Sequence, residues 1–178
     1  MTISELRDDP TTRHILEERA RALAIKETAI AMTPGDELVI FRLGDGAYSL
    51  PAQFIRQVHL LGDVTPLPAT PAFVVGLVNI RGRLLAALDI RPLLDIPTAP
   101  LQPGAFLLAL QANGMEIGLV ADTVLEVRRS ASDLAPSPST AAGRGISWVR
   151  GVDQHLNLLL DPVLLVSDPR LSVNIATN

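Results

Sequence analysis

The 178-residue chain contains no cysteine, which excludes a disulfide framework and any thiolate metal site. Aromatic residues are scarce at 3%, so the core must be aliphatic, and a surface that stacks nucleic-acid bases has too few rings to draw on. Positive charge is also short: the formal charge is −4 at pH 7, and no Lys/Arg cluster supplies the electrostatic footprint of DNA or RNA binding. No stretch approaches the roughly 18 uninterrupted apolar residues of a membrane span. The opening "MTISELRDDPTTRHILEERARALA" is charged where a secretory signal needs an apolar centre. These absences lead us to expect a soluble, cytoplasmic protein with neither nucleic-acid binding nor membrane insertion.

Catalytic signatures are missing as well. His14, His59 and His155 stand alone in different segments, so no metal centre is expected. The chain has no Gly-rich phosphate cradle and no nucleophile elbow, and no cofactor is expected. Asp89, Glu126 and Asp161 sit at strand ends and leave an acid/base pair as a minor alternative. Strand-end aspartates, however, are commonly caps or turn residues. A small-barrel enzyme using Asp89 and Asp161 would need the two carboxylates in one cleft, whereas a duplicated fold places them apart.

What the chain does have is aliphatic residue in quantity, 48% hydrophobic overall, arranged in two textures. Residues 1–36 read as a helical arm and linker. Asp9 is the N-cap and Pro10 the first helical residue, with Leu16, Ala20, Leu23 and Ala24 on one face, and "MTPGDE" is a turn. Residues 37–168 read as short strands. A hairpin turns at Gly44-Asp45-Gly46, "FIRQVHLL" and the pair "FVVGLVNI"/"RLLAALDI" follow, and "RPLLDI" forms one helical turn. The proline-rich 97–104 segment is the internal boundary. A second hairpin with Asn113-Gly114 at its tip opens the second half. "TVLEVRR", a loop from Ser130 to Gly145, "ISWVRG", "HLNLLLD" and a helical turn at Pro162–Val166 complete it, leaving 169–178 as a tail.

The halves overlay at an offset of 69, matching Leu50/Leu119, Ala52/Ala121 and Val58/Val127. Continued without a gap, the overlay matches Gly76/Gly145, Arg81/Arg150 and Gly82/Gly151, and three inserted residues bring Asp89 onto Asp161. The repeat predicts two copies of a β unit of about five strands. On this overlay Arg81-Gly82 recurs as Arg150-Gly151, which makes the Arg-Gly step architectural. Asn79, opposite Trp148, has no counterpart.

"PAFVVGLVNIRGRLLAALDIR" resembles the signature of CheW-like domains, the coupling adaptors of bacterial chemosensory arrays, with Pro71, Phe73, Gly76, Asn79, Arg81, Gly82, Asp89 and Arg91 at its fixed positions. Phe41, Leu43, Gly44 and Tyr48 resemble the family's opening hairpin, and "IGLVADTVLEV" its central stretch. The resemblance covers about Glu37 to Val166. It implies an all-β fold of two intertwined SH3-like five-stranded barrels, here with an added N-terminal helix. The implied function is that of a non-enzymatic adaptor between chemoreceptor cytoplasmic helices and the regulatory domain of a CheA-type histidine kinase. Other CheW-like domains in array rings are further implied partners. Carried over, the receptor groove comprises Ile55, Gln57, Val58, Gly76, Asn79, Arg81 and Gly82. Three departures stand out. Gln57 replaces an acidic residue that could pair with Arg81 and offers it a hydrogen bond but no charge. Ala86 replaces a usual proline, so its strand continues more regularly. Pro51 suits an edge strand. With the added arm, these departures suggest an adaptor of a non-motility chemosensory system, or a divergent modulator of the array.

Overall fold

The computed structural model describes residues 30–131, 135–136 and 146–171; the predicted N-terminal helix and most of the tail lie outside them. The chain divides into two compact units, residues 1–30 and 31–178, and the architecture below is that of the second. Its strands are, in chain order, β1 (Glu37–Leu43), β2 (Gly46–Pro51), β3 (Ile55–Leu60), β4 (Val64–Thr65), β5 (Val74–Ile80), β6 (Arg83–Leu88), β7 (Phe106–Ala112), β8 (Met115–Ala121), β9 (Thr123–Arg129), β10 (Ala135–Pro136), β11 (Val149–Val152) and β12 (Leu158–Leu160). One short helix, α1 (Pro162–Val166), follows. The expected helical turn at "RPLLDI" is a 3-10 turn, Arg91–Leu93.

The strands form two six-stranded sheets: sheet I in the order β10-β11-β12-β2-β1-β9, and sheet II in the order β4-β5-β6-β8-β7-β3. Each sheet therefore takes a hairpin from one half of the chain and its remaining strands from the other half. The two-residue strands β4 and β10 raise each unit above the expected five, since each adds a short ladder to its neighbour. The β4 pairing draws on the start of a segment that composition marks as a proline-rich connection.

Register bears out the duplication and corrects its alignment. Val39 pairs with Val127 in sheet I, and Leu108 with Val58 in sheet II; both members of each pair lie 69 residues from their counterparts. The parallel junctions agree, Leu159 facing Ser49 in one sheet and Ala87 facing Gly118 in the other. The same bulge leaves Leu125 out of one ladder and Arg56 out of the other. Past β9 the gapless overlay fails. Gly151, opposite Leu159 and just past a bulge, is the counterpart of Gly76, opposite Ala87 and just past a bulge. Gly151 and Gly76 are 75 residues apart, so Arg150 corresponds to Val75 and not to Arg81. The cause is unequal loops. β5 and β6 run on to a two-residue turn, whereas β11 and β12 are shorter and joined by residues 153–157.

Both faces of each sheet carry buried residues, which explains the weak alternation in the sequence. On one face of sheet II, Val78, Leu85, Ala87, Leu107, Ala109 and Val120 form one core cluster. On the opposite face Leu108, Leu110 and Leu119 are fully buried, as are Phe41 and Leu50 at matching positions of sheet I. Pro51 is not on an edge: β2 lies between β1 and β12. Its missing N–H is tolerated because it ends β2, beyond the two residues that pair with β12. Ala86 sits in unbroken pairing opposite Leu77, as its replacement of proline leads one to expect.

Candidate functional site

The β5–β6 hairpin closes through the pair Ile80–Arg83, leaving Arg81 and Gly82 as its turn, with φ of 49° and 83°. Positive φ at both central residues is the primed turn whose twist matches the strands it joins. The β7–β8 hairpin uses the same turn with Asn113 and Gly114, at φ of 50° and 73°. Asparagine tolerates this conformation cheaply; an arginine there is strained by about 1 kcal/mol. Asn79 supports the turn, its Oδ1 accepting the Gly82 N–H at 2.8 Å.

Next to this turn the buried face of sheet II becomes polar. The cross-strand partners Gln111 and Glu116 continue the face of Ala109 and Gly118, and Arg83 continues that of Leu85. A cleft of about 420 Å³ opens here, floored by Ile80, Leu85 and Ala109 and rimmed by Arg56, Gln57, Arg81, Arg83, Leu84, Gln111 and Glu116. The sheet curls far enough for β3, at one end of its order, and the β5–β6 tip to line one cleft. Arg83 is ion-paired with Glu116, and Arg56 Nε donates to Gln111. The Arg81 guanidinium makes no hydrogen bond or ion pair among the described residues. Gln57, expected to offer it one, instead bonds through Oε1 to His59 Nε2 at 2.6 Å.

Of the seven residues expected in a partner groove, the fold brings Gln57 and Arg81 to one cleft, with Asn79 and Gly82 in the turn that carries it. Val58, 41% exposed, follows Gln57 on β3 and points to the other face. Ile55 is half-buried where β3 begins. Gly76 is buried under β4: a Cβ there would lie 2.3 Å from the Thr65 carbonyl oxygen. Arg56, Arg83, Gln111 and Glu116 were not singled out from sequence. Hairpin alternation could have found Arg83, but the others depend on β3 pairing with β7 from the other half.

The carboxylates considered for catalysis are engaged elsewhere. Buried Asp89 holds Arg91, with Arg91 Nε 3.0 Å from both of its oxygens. Asp161 Oδ1 caps α1 by accepting the Val163 and Leu164 N–H groups at 3.0 and 3.1 Å. They occupy equivalent places in the two sheets, the Asp89 N–H donating to the Phe73 carbonyl and the Asp161 N–H to that of Trp148, both at 2.7 Å. Glu126 is exposed and paired with Arg128. Among the described residues no cluster of three His, Cys, Asp or Glu could hold a metal, and no helix is long and apolar enough to cross a membrane.

The CheW-like domain model matches residues 37–170. The chain belongs to the CheW-like domain family. It is 34% identical to Protein FrzA of Myxococcus xanthus over 71% of this chain and 82% of that protein. It is 30% identical to the chemotaxis protein CheW of Rhizobium meliloti over 66% of this chain and 77% of that one. The crystal structure of the scaffolding protein TtCheW from Thermoanaerobacter tengcongensis superposes with a TM-score of 0.60 at 22% identity, over 71% of this chain and 87% of that one. As a CheW-like domain the chain is an adaptor of chemotaxis signalling and not an enzyme. The CheW-like signature then divides by role. Phe73 and Asp89 join the ends of β5 and β6, Gly76 admits β4, Asn79 and Gly82 shape the turn, and Arg91 is held by Asp89. Arg81 alone among them has a charged group without a partner inside the fold.

Proposed function

We propose that this CheW-like domain couples the cytoplasmic tips of chemoreceptors to a CheA-type histidine kinase, working in the cytoplasm at receptor arrays. The observation that carries this reading is the family match across residues 37–170. It agrees with a chain whose strand-end carboxylates are occupied by structural contacts. In the finer reading each sheet curls into an SH3-like barrel; the exchanged hairpins and the cleft shared by β3 and the β5–β6 tip support it. Domain 37–168 carries the function, residues 1–36 add a helical arm, and further CheW-like domains join it in array rings. Receptor helices contact Ile55, Gln57, Val58, Gly76, Asn79, Arg81 and Gly82, with Arg81 at the centre, since a guanidinium makes several directed hydrogen bonds at once.

Co-sedimentation of the full chain with a cognate receptor fragment and kinase tests this. Wild type is expected to join both, and Arg81→Glu to lose receptor with its melting transition intact. Wild type that joins neither partner rules out the adaptor reading. Arg81→Glu that binds as wild type removes Arg81 from the site and leaves the family assignment standing.

A further inference from the structure

We infer that the polar cleft of sheet II is a carboxylate receptor: Arg81 takes an Asp or Glu side chain presented by the partner polypeptide. The inference rests on the adaptor reading for its partner and deepens it by naming the chemistry recognised. Three observations converge. The first is a charge imbalance: Arg56, Arg81 and Arg83 face one carboxylate, Glu116, around the cleft, in a chain of net charge −4. Arg83 holds Glu116 and Arg56 holds Gln111, which leaves the Arg81 guanidinium as the cation without a partner. Gln57 is engaged with His59, so nothing inside the fold competes for it.

The second is backbone strain. Arg81 sits at φ 49°, where the other hairpin of the same sheet uses Asn113 at φ 50°. Asn-Gly is the preferred sequence for this turn, so the fold would be better served by asparagine at 81. An unfavourable backbone conformation at an exposed, unpaired cation marks a residue held for contact and not for folding. The third is the duplication. In sheet I the counterparts of Arg56, Gln57, Gln111 and Glu116, at the offset of 69, are Leu125, Glu126, Arg42 and Ala47. The backbone is repeated but the chemistry of this mouth is not. Leu84, 69% exposed at the rim, gives an apolar side chain beside the carboxylate a surface to cover.

The experiment uses the full chain and a cytoplasmic-tip fragment of its cognate chemoreceptor as probe, with affinity measured between low and moderate salt. Arg81→Asn should melt no lower than wild type, because the turn is relieved. It should nonetheless bind the fragment about tenfold more weakly, with a shallower salt dependence. Gln57→Glu, which places a competing carboxylate in the cleft, should weaken binding similarly without touching Arg81. Wild-type affinity and salt slope in both variants, with wild type binding the fragment, overturns the inference and leaves the adaptor reading intact. Failure of wild type to bind the fragment overturns the adaptor reading and, with it, this one. Self-association of the chain that Arg81→Asn abolishes while receptor binding stays unchanged also overturns it, since the cleft then serves a second copy.

Discussion

Arginines in this chain have three fates, and local geometry decides among them. Arg91 is buried; its Nε and Nη2 reach Asp89, its backbone N–H donates to the same carboxylate, and Nη2 also meets the Ala99 carbonyl at 3.2 Å. The hydrogen bond to Asp89 comes first in raising its pKa further. Asp168-Pro169-Arg170 repeats this clasp, with Asp168 also accepting the Trp148 indole N–H at 2.8 Å. Burial pushes the Asp168 carboxyl up, but bonds from Arg170 and Trp148 outweigh it and leave the pKa lowered. A carboxyl lowered on folding stabilises above its unfolded value near pH 4 and loses that contribution as pH falls through the folded value. Asp168→Asn is therefore expected to cost about 1.5 kcal/mol at neutral pH, a low figure because Arg170 is partly exposed. It should also flatten the acid limb of stability below about pH 4. Fluorescence of the single, fully buried Trp148 reports both changes. Arg81, unpaired at a strained turn, is the third fate. Its place in the Arg-Gly motif was legible from sequence; its lack of an internal partner was not, because Gln57 and His59 pair on a strand far from it in the chain.

At the scale of elements, β4 shows how a two-residue strand can constrain a longer one. It lies so close over β5 that Gly76, at φ 149°, leaves no room for a side chain. Gly76→Ala must displace the β4 backbone, because the obstructing atom is a carbonyl oxygen and not a flexible side chain. A loss of about 2 kcal/mol or more is expected in denaturant unfolding, with amide exchange accelerated over β4 and the adjoining stretch of β5. Sequence marked this glycine as fixed but not why, since Val64-Thr65 borders the segment that composition marks as a proline-rich loop. The hairpins were the most legible elements, because Gly44-Asp45 and Asn113-Gly114 carry turn chemistry in adjacent residues. The second-half counterpart of β5–β6 was the least legible. Its loop at residues 153–157 has a different length, and the coincidence of Arg150-Gly151 with Arg81-Gly82 concealed the shift.

At the scale of the whole molecule the exchanged hairpins make the halves interdependent. The β1–β2 hairpin completes the sheet of β9–β12, and β7–β8 completes that of β3–β6. A chain cut near residue 100 therefore yields halves that each lack the central hairpin of their own remaining strands. Neither half is expected to show a cooperative melting transition alone, and mixing or co-expression should restore one. Independent melting of either half would mean that its hairpin can turn back onto its own strands. Interdependence also bears on function, because the proposed cleft draws β3, β5 and β6 from one half and β7 and β8 from the other.

The sequence by itself determined the class of structure and the family, because aliphatic strand patterns, turn residues and an ordered signature are local information. It also disclosed that the chain is duplicated, since matched apolar positions survive in linear order. Only the tertiary structure decided which hairpin joins which sheet, where the two copies fall out of step, and which polar side chains share a cleft. Those are outcomes of long-range pairing between strands about 50 residues apart, such as β3 and β7. No window of sequence contains both partners of such a pair, so their meeting is fixed by packing.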